Sequence, residues 1–158
     1  MWGVMIFSYI LMGISFIAIM LAGFLGYSQS NENHIFLSLI SSIIYMFSET
    51  LILFYFIASG KKIKEIIKNN NLDIVEYYKP ILDMKMKLFP HIMLNMIVVG
   101  TTFIIGGGVH TGVISVNIHS LCFFIAIVHF LWLIIFQHRC FIRNTELVIL
   151  VHDLANDS

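Results

Sequence analysis

The stretch GKKIKEIIKNNNLDIVEYYKPILDMKMKL, residues 60–88, decides how this chain is read. It holds seven of the nine Lys and Arg residues: Lys61, Lys62, Lys64, Lys68, Lys79, Lys85 and Lys87. Long apolar runs flank it on both sides. The other two basic residues, Arg139 and Arg143, follow the last apolar run, and the connections after the first and third runs carry neither Lys nor Arg. Basic residues collect on the cytoplasmic side of a membrane. The pattern predicts an all-α bundle of four membrane-spanning helices with both termini and residues 60–88 in the cytoplasm. The expected location is the cytoplasmic membrane of a prokaryotic cell.

Composition agrees. Of 158 residues, 59% are hydrophobic and 11% charged, and mean hydropathy is +0.91. A soluble domain carries about a quarter charged residues, and one helical crossing needs about 20 apolar ones. Four crossings therefore use most of the chain and leave no room for a second globular domain. With its charge segregated by side and no basic face, the chain is not expected to bind nucleic acid.

The spans read as 4–26, 35–59, 88–108 and 113–137, with a tail over 138–158. They form two antiparallel hairpins, the first joined by the polar loop Tyr27–His34. The N-terminus lacks a basic region and no small-residue cleavage site follows, so the first run is expected to stay as a span rather than leave as a signal peptide. Within 60–88, Ile63, Ile66 and Ile67 share a helical face, Asn69–Asn71 break it, and Leu72, Val75, Tyr78, Ile81 and Leu82 mark a second amphipathic stretch bent at Pro80. The expectation is a helix lying on the inner membrane surface, with a docking face for a cytoplasmic partner as the alternative. Pro90 is read as a first-turn proline, and Gly106–Gly108 as the flexible end of the third span. Cys122 and Cys140 are about 27 Å apart on one helix and cannot bridge.

The polar groups inside the spans carry the chemistry. Glu49 is the sole acidic residue within any span, near the middle of the second. His129 falls within a turn of the middle of the fourth, and Thr101 near that of the third. Tyr45 is one turn from Glu49 on the same face. These four define a candidate midplane site for a proton, a metal or a cofactor. The alternative is that Glu49 is hydrogen-bonding glue between helices.

Residues at equal depth in an antiparallel hairpin have a constant sum of positions. His91 with His138, and His110 with His119, share one such sum, as does Gly100 with His129. These four histidines are candidate ligands for haem b, which two imidazoles can hold from opposite sides of the iron. A non-haem metal or purely structural histidines are the alternatives, and His34 and His152 are expected in exposed loop and tail. No Ser-His-Asp order, CxxC or HExxH is present.

Three functions remain open. The chain is foremost a non-catalytic subunit of a larger membrane assembly, such as a respiratory or other oxidoreductase complex, with further membrane subunits or its own copies as partners. It is otherwise a small b-type cytochrome exchanging electrons with quinone, or an oligomeric proton or ion pathway.

Overall fold

The computed structural model describes residues 2–28 and 31–156. Four helices take up nearly all of them: α1 (Trp2–Tyr27), α2 (Asn31–Asn69), α3 (Ile74–His110) and α4 (Val116–Asn156). All four are long and apolar enough to cross a membrane, as befits an integral membrane protein. Gln29 and Ser30 of the expected first loop lie outside the described residues. α1 packs along α2 and α3 along α4, while α2 also touches α3 and α4.

Three helices are far longer than a crossing requires. The 39 residues of α2 span ~58 Å at 1.5 Å per residue, against ~30 Å of hydrocarbon. The surplus lies at the basic end, and it corrects one expectation. Residues 60–88 do not form a separate helix on the membrane surface. They are the continuations of α2 and α3, joined by a short turn. Ile63, Ile67 and Ile81 are fully buried there, with Leu147 and Val151 of α4. The tail likewise continues α4 without a break and packs into this stalk. In water, each fully buried aliphatic side chain of this kind contributes about 1.5–3 kcal/mol.

The α2–α3 turn is built from local chemistry. Asn71 adopts a left-handed φ of 53°, a conformation that Asn tolerates better than most residues. The Leu72 N–H then donates to the Ile67 carbonyl at 3.0 Å, closing α2 as a Schellman motif. Asp73 caps α3, its carboxylate accepting from the N–H groups of Val75 at 2.6 Å and Glu76 at 3.4 Å. α3 consequently starts before both prolines. Pro80 and Pro90 are inside the helix, so Pro90 is not a first-turn residue. Each removes one i→i−4 hydrogen bond. The three glycines 106–108 are also helical, and α3 runs on to His110, capped by Thr111.

Lys85 adds a polar element to the stalk junction. Its ammonium group lies against Gly60, where a Cβ would collide with it. Burial lowers its pKa from the ordinary 10.5.

Two outcomes follow. Ile67→Ala should destabilise the detergent-solubilised protein by about 2–5 kcal/mol and speed tryptic cleavage at Lys61–Lys68. A helix lying on the membrane surface would leave the denaturation midpoint unchanged. For Lys85, the unfolded chain binds the proton more tightly than the folded one, so wild-type stability rises as pH climbs through the lowered pKa toward 10.5. Lys85→Met should therefore raise the thermal midpoint at neutral pH, and the gain should shrink toward pH 10. An equal gain at both pH values would show that proton binding at Lys85 plays no part.

Candidate functional site

α2 carries polar residues along one face: His34, Ser38, Ser41, Tyr45, Ser48, Glu49, Tyr55 and Ser59. Most are three, four or seven residues apart, with Glu49 next to Ser48, and this keeps them on one stripe. Lipid offers no hydrogen bonds, so the stripe turns inward, and this explains why α2 touches all three other helices. Tyr45, Ser48, Glu49 and Ser59 are at most 1% exposed.

Glu49 is fully buried and its Oε2 accepts from Gln137 Nε2 of α4 at 2.5 Å. Lower down, the Ser59 hydroxyl donates to Asn144 Oδ1 at 3.1 Å, and Asn144 Nδ2 donates to the Tyr55 hydroxyl at 3.3 Å. Polar contacts thus join α2 to α4 along their length. Around Glu49, several buried groups make no hydrogen bond to protein: Glu49 Oε1, Gln137 Oε1, Ser48 Oγ, the Tyr45 hydroxyl, and both amide atoms of Asn95 on α3. The α2–α3 register puts Met46 against Gly100 and Gly60 against Lys85, which sets Asn95 within about a turn of the Glu49 level. Among the described residues the ion pairs are Arg143–Glu146 at 3.4 Å and His152–Asp153 at 3.9 Å. Both are exposed, and neither reaches Glu49.

The midplane site is therefore composed differently from the sequence expectation. Tyr45 is buried on the Glu49 face, its ring edge-on to Phe130 with centroids 4.8 Å apart. Thr101 points outward, and its neighbour Thr102 is the buried threonine. The Ser15 hydroxyl donates to the Leu11 carbonyl of its own helix at 2.7 Å. His129 does not partner Glu49. It sits half-buried at the edge of the α3–α4 contact, with ring centroids 6.0 Å from His91 and 5.5 Å from Trp132. Gln137, not weighed as a site residue from the sequence, is the partner of Glu49, and Asn95 is the fully buried amide of α3 near that level. Their signal was available: they are amides inside apolar runs, where a polar side chain needs a partner on another helix.

The histidine register also differs. His91 meets His129, not His138. His138 accepts or donates a 2.8 Å hydrogen bond with the Tyr9 hydroxyl of α1. Gly100 faces Met46 of α2. His110 and His119 do share surroundings, as both line a cavity of about 390 Å³ at the end of the bundle opposite the lysines. The ring recorded against His119, however, is that of His34, with centroids 6.1 Å apart and planes at 76°. His34 is no loop residue: it lies within α2, half-buried, with Nδ1 2.7 Å from the Ala22 carbonyl. Ser38, Ser41, Ser42, Thr102 and Ser120 add hydroxyls to the lining, and Phe130 links the cavity to Tyr45. His152 is exposed, as expected.

Among the described residues no three of His, Cys, Asp and Glu are grouped to hold a metal ion. Comparison with family models, curated proteins and solved structures finds no match for this chain.

The Glu49–Gln137 pair makes an asymmetric prediction. Gln137→Leu strands a buried carboxyl group and should cost about 1–3 kcal/mol. Adding Glu49→Met to that variant should recover most of the loss. A double-mutant cycle in detergent reads the difference, and simple additivity of the two losses would mean that the side chains do not interact.

Proposed function

We propose that this protein is a non-catalytic membrane protein of two antiparallel hairpins, with both termini cytoplasmic, whose working element is a protonatable centre at Glu49. The orientation rests on the lysine-rich stalk, since the reverse would put every Lys and Arg outside. One observation carries the centre. A lone carboxyl group is fully buried at bilayer depth, paired with a neutral amide and ringed by polar atoms that protein does not satisfy. Such groups in membrane segments serve proton and ion pathways, and unsatisfied neighbours are where water or an ion is accommodated. The hydroxyl- and imidazole-lined cavity lies on the outer side of this layer, with Tyr45 and Phe130 between. In this reading the polar stripe of α2 is the route and Glu49 its obligatory proton carrier.

A second reading has its own support. His91, His129, Trp132 and Phe136 form a ring cluster at the α3–α4 edge, where Trp132 is 45% exposed. An exposed indole beside half-buried imidazoles suits contact with another membrane subunit or a second copy, as a component of a larger assembly requires.

Proteoliposomes carrying an internal pH dye test the first reading. Wild-type protein should dissipate an imposed pH gradient, and Glu49→Gln should abolish this while remaining folded and monodisperse. Glu49→Leu should lose activity and also stability. Undiminished flux in Glu49→Gln, or none in wild type, would overturn the proton-carrier role.

A further inference from the structure

The cavity opposite the lysines contains an arrangement that the Glu49 reading does not use. His34 comes from the first turn of α2 and His119 from the first turn of α4. Each ring is seated over a glycine of a different helix. A Cβ at Gly26 of α1 would come within 2.9 Å of His34 Cε1, and one at Gly106 of α3 within 3.0 Å of His119 Cε1. All four helices therefore cooperate to place two imidazoles beside each other with their planes at 76°.

Their chemistry is that of ligands. A carbonyl oxygen can only accept, so the contact with Ala22 puts the hydrogen of His34 on Nδ1. Nε2 is left with its lone pair. A second-shell carbonyl on the far nitrogen is how metal-bound imidazoles are oriented. The His119 ring hydrogen-bonds the Thr102 backbone, and its Nδ1 is buried without a partner. The spacing fits as well. Two imidazoles on opposite sides of one metal, each with a nitrogen–metal distance of ~2 Å, have ring centres ~6 Å apart. The observed separation is 6.1 Å.

The remaining donors decide which metal species fits. Among the described residues no third His, Cys, Asp or Glu joins the pair to complete a protein-ligated ion. A bare ion would be left short of protein ligands. A metal that brings its own equatorial donors in a macrocycle needs only the two axial ones. The surroundings suit a flat macrocycle: a cavity of about 390 Å³ with Ala22, Gly23 and Gly106 as small wall residues and Phe103, Phe123 and Phe130 as aromatic ones. That volume lies within the ~300–1,000 Å³ typical of cofactor sites. Because the walls come from four helices, the macrocycle would not have to fit between two adjacent ones.

We infer that the cavity binds one haem b, with His34 and His119 as its axial ligands. This assignment replaces the histidine pairs that the sequence register suggested, and it stands independently of Glu49.

Hemin titration into the purified full chain in detergent, followed by reduction, is the test. Wild type should take up one haem per chain and give the visible spectrum of six-coordinate low-spin bis-histidine haem. His34→Gln keeps an amide N–H able to reach the Ala22 carbonyl but lacks an imidazole. It and His119→Gln should each lose the low-spin spectrum and weaken binding at least tenfold, while gel filtration and helical circular dichroism remain those of wild type. His91→Gln and His138→Gln, which lie outside the cavity, should keep the wild-type spectrum. If one of the first two variants fails to fold, Gly106→Val offers a separate readout: displacing the His119 ring should perturb the low-spin spectrum without removing a ligand. Absence of a low-spin spectrum in wild type would overturn the assignment. So would its survival in both His34→Gln and His119→Gln, or its loss in His91→Gln or His138→Gln.

Discussion

A hydrogen-bonding group in hydrocarbon must find its partner inside the protein, and the architecture of this chain follows from where those groups sit on α2. The stripe from His34 to Ser59 cannot face lipid without a cost of several kcal/mol at Glu49 alone. It therefore faces the other helices, and Gln137, Asn144 and the Ala22 carbonyl meet it. Apolar side chains supply little preference here, because a lipid tail is as apolar as Leu. Isoleucine and phenylalanine fill the space between helices, while the polar contacts fix which faces meet. Within the spans, the outward-facing Ile, Leu and Phe residues are then ordinary lipid contacts.

The same helices pass through two solvents. In the spans, packing and hydrogen bonding hold the bundle. In the stalk, Ile63, Ile67, Ile81, Leu147 and Val151 are removed from water, so the ordinary hydrophobic effect operates. Lysines on the outside of the stalk keep it soluble. One of them, Lys64, lies over the Tyr78 ring at 5.6 Å, bringing the last turns of α2 against the first turns of α3.

Two polar centres sit on this frame at different depths. The deeper is the layer of Glu49, Gln137, Ser48, Tyr45 and Asn95, fully buried and incompletely satisfied. The other is the histidine cavity, shaped by glycines that admit rings where other residues would exclude them. Tyr45 and Phe130, edge to face, separate the two. A proton-carrying reading draws on the first centre and a haem-binding reading on the second.

The sequence by itself determined four helices apolar enough to cross a membrane, the segregation of charge and the place of Glu49 near the middle of the second apolar run, because these depend on local hydropathy and on distance along a helix. The lateral register was decided only by the tertiary structure. Which turn of one helix lies beside which turn of another depends on how side chains interlock: Gly106 of α3 under His119 of α4, and Phe123 of α4 into Gly23 of α1. That interlocking set His91 beside His129, Trp132 and Phe136 rather than His138. It also gave Glu49 to Gln137 and brought His34 and His119 together from distant parts of the chain. The amphipathic face at Ile63 and Ile67 was visible in the sequence, but not what covers it. A helix face records that it must be buried, and only packing settles whether lipid or another helix does so.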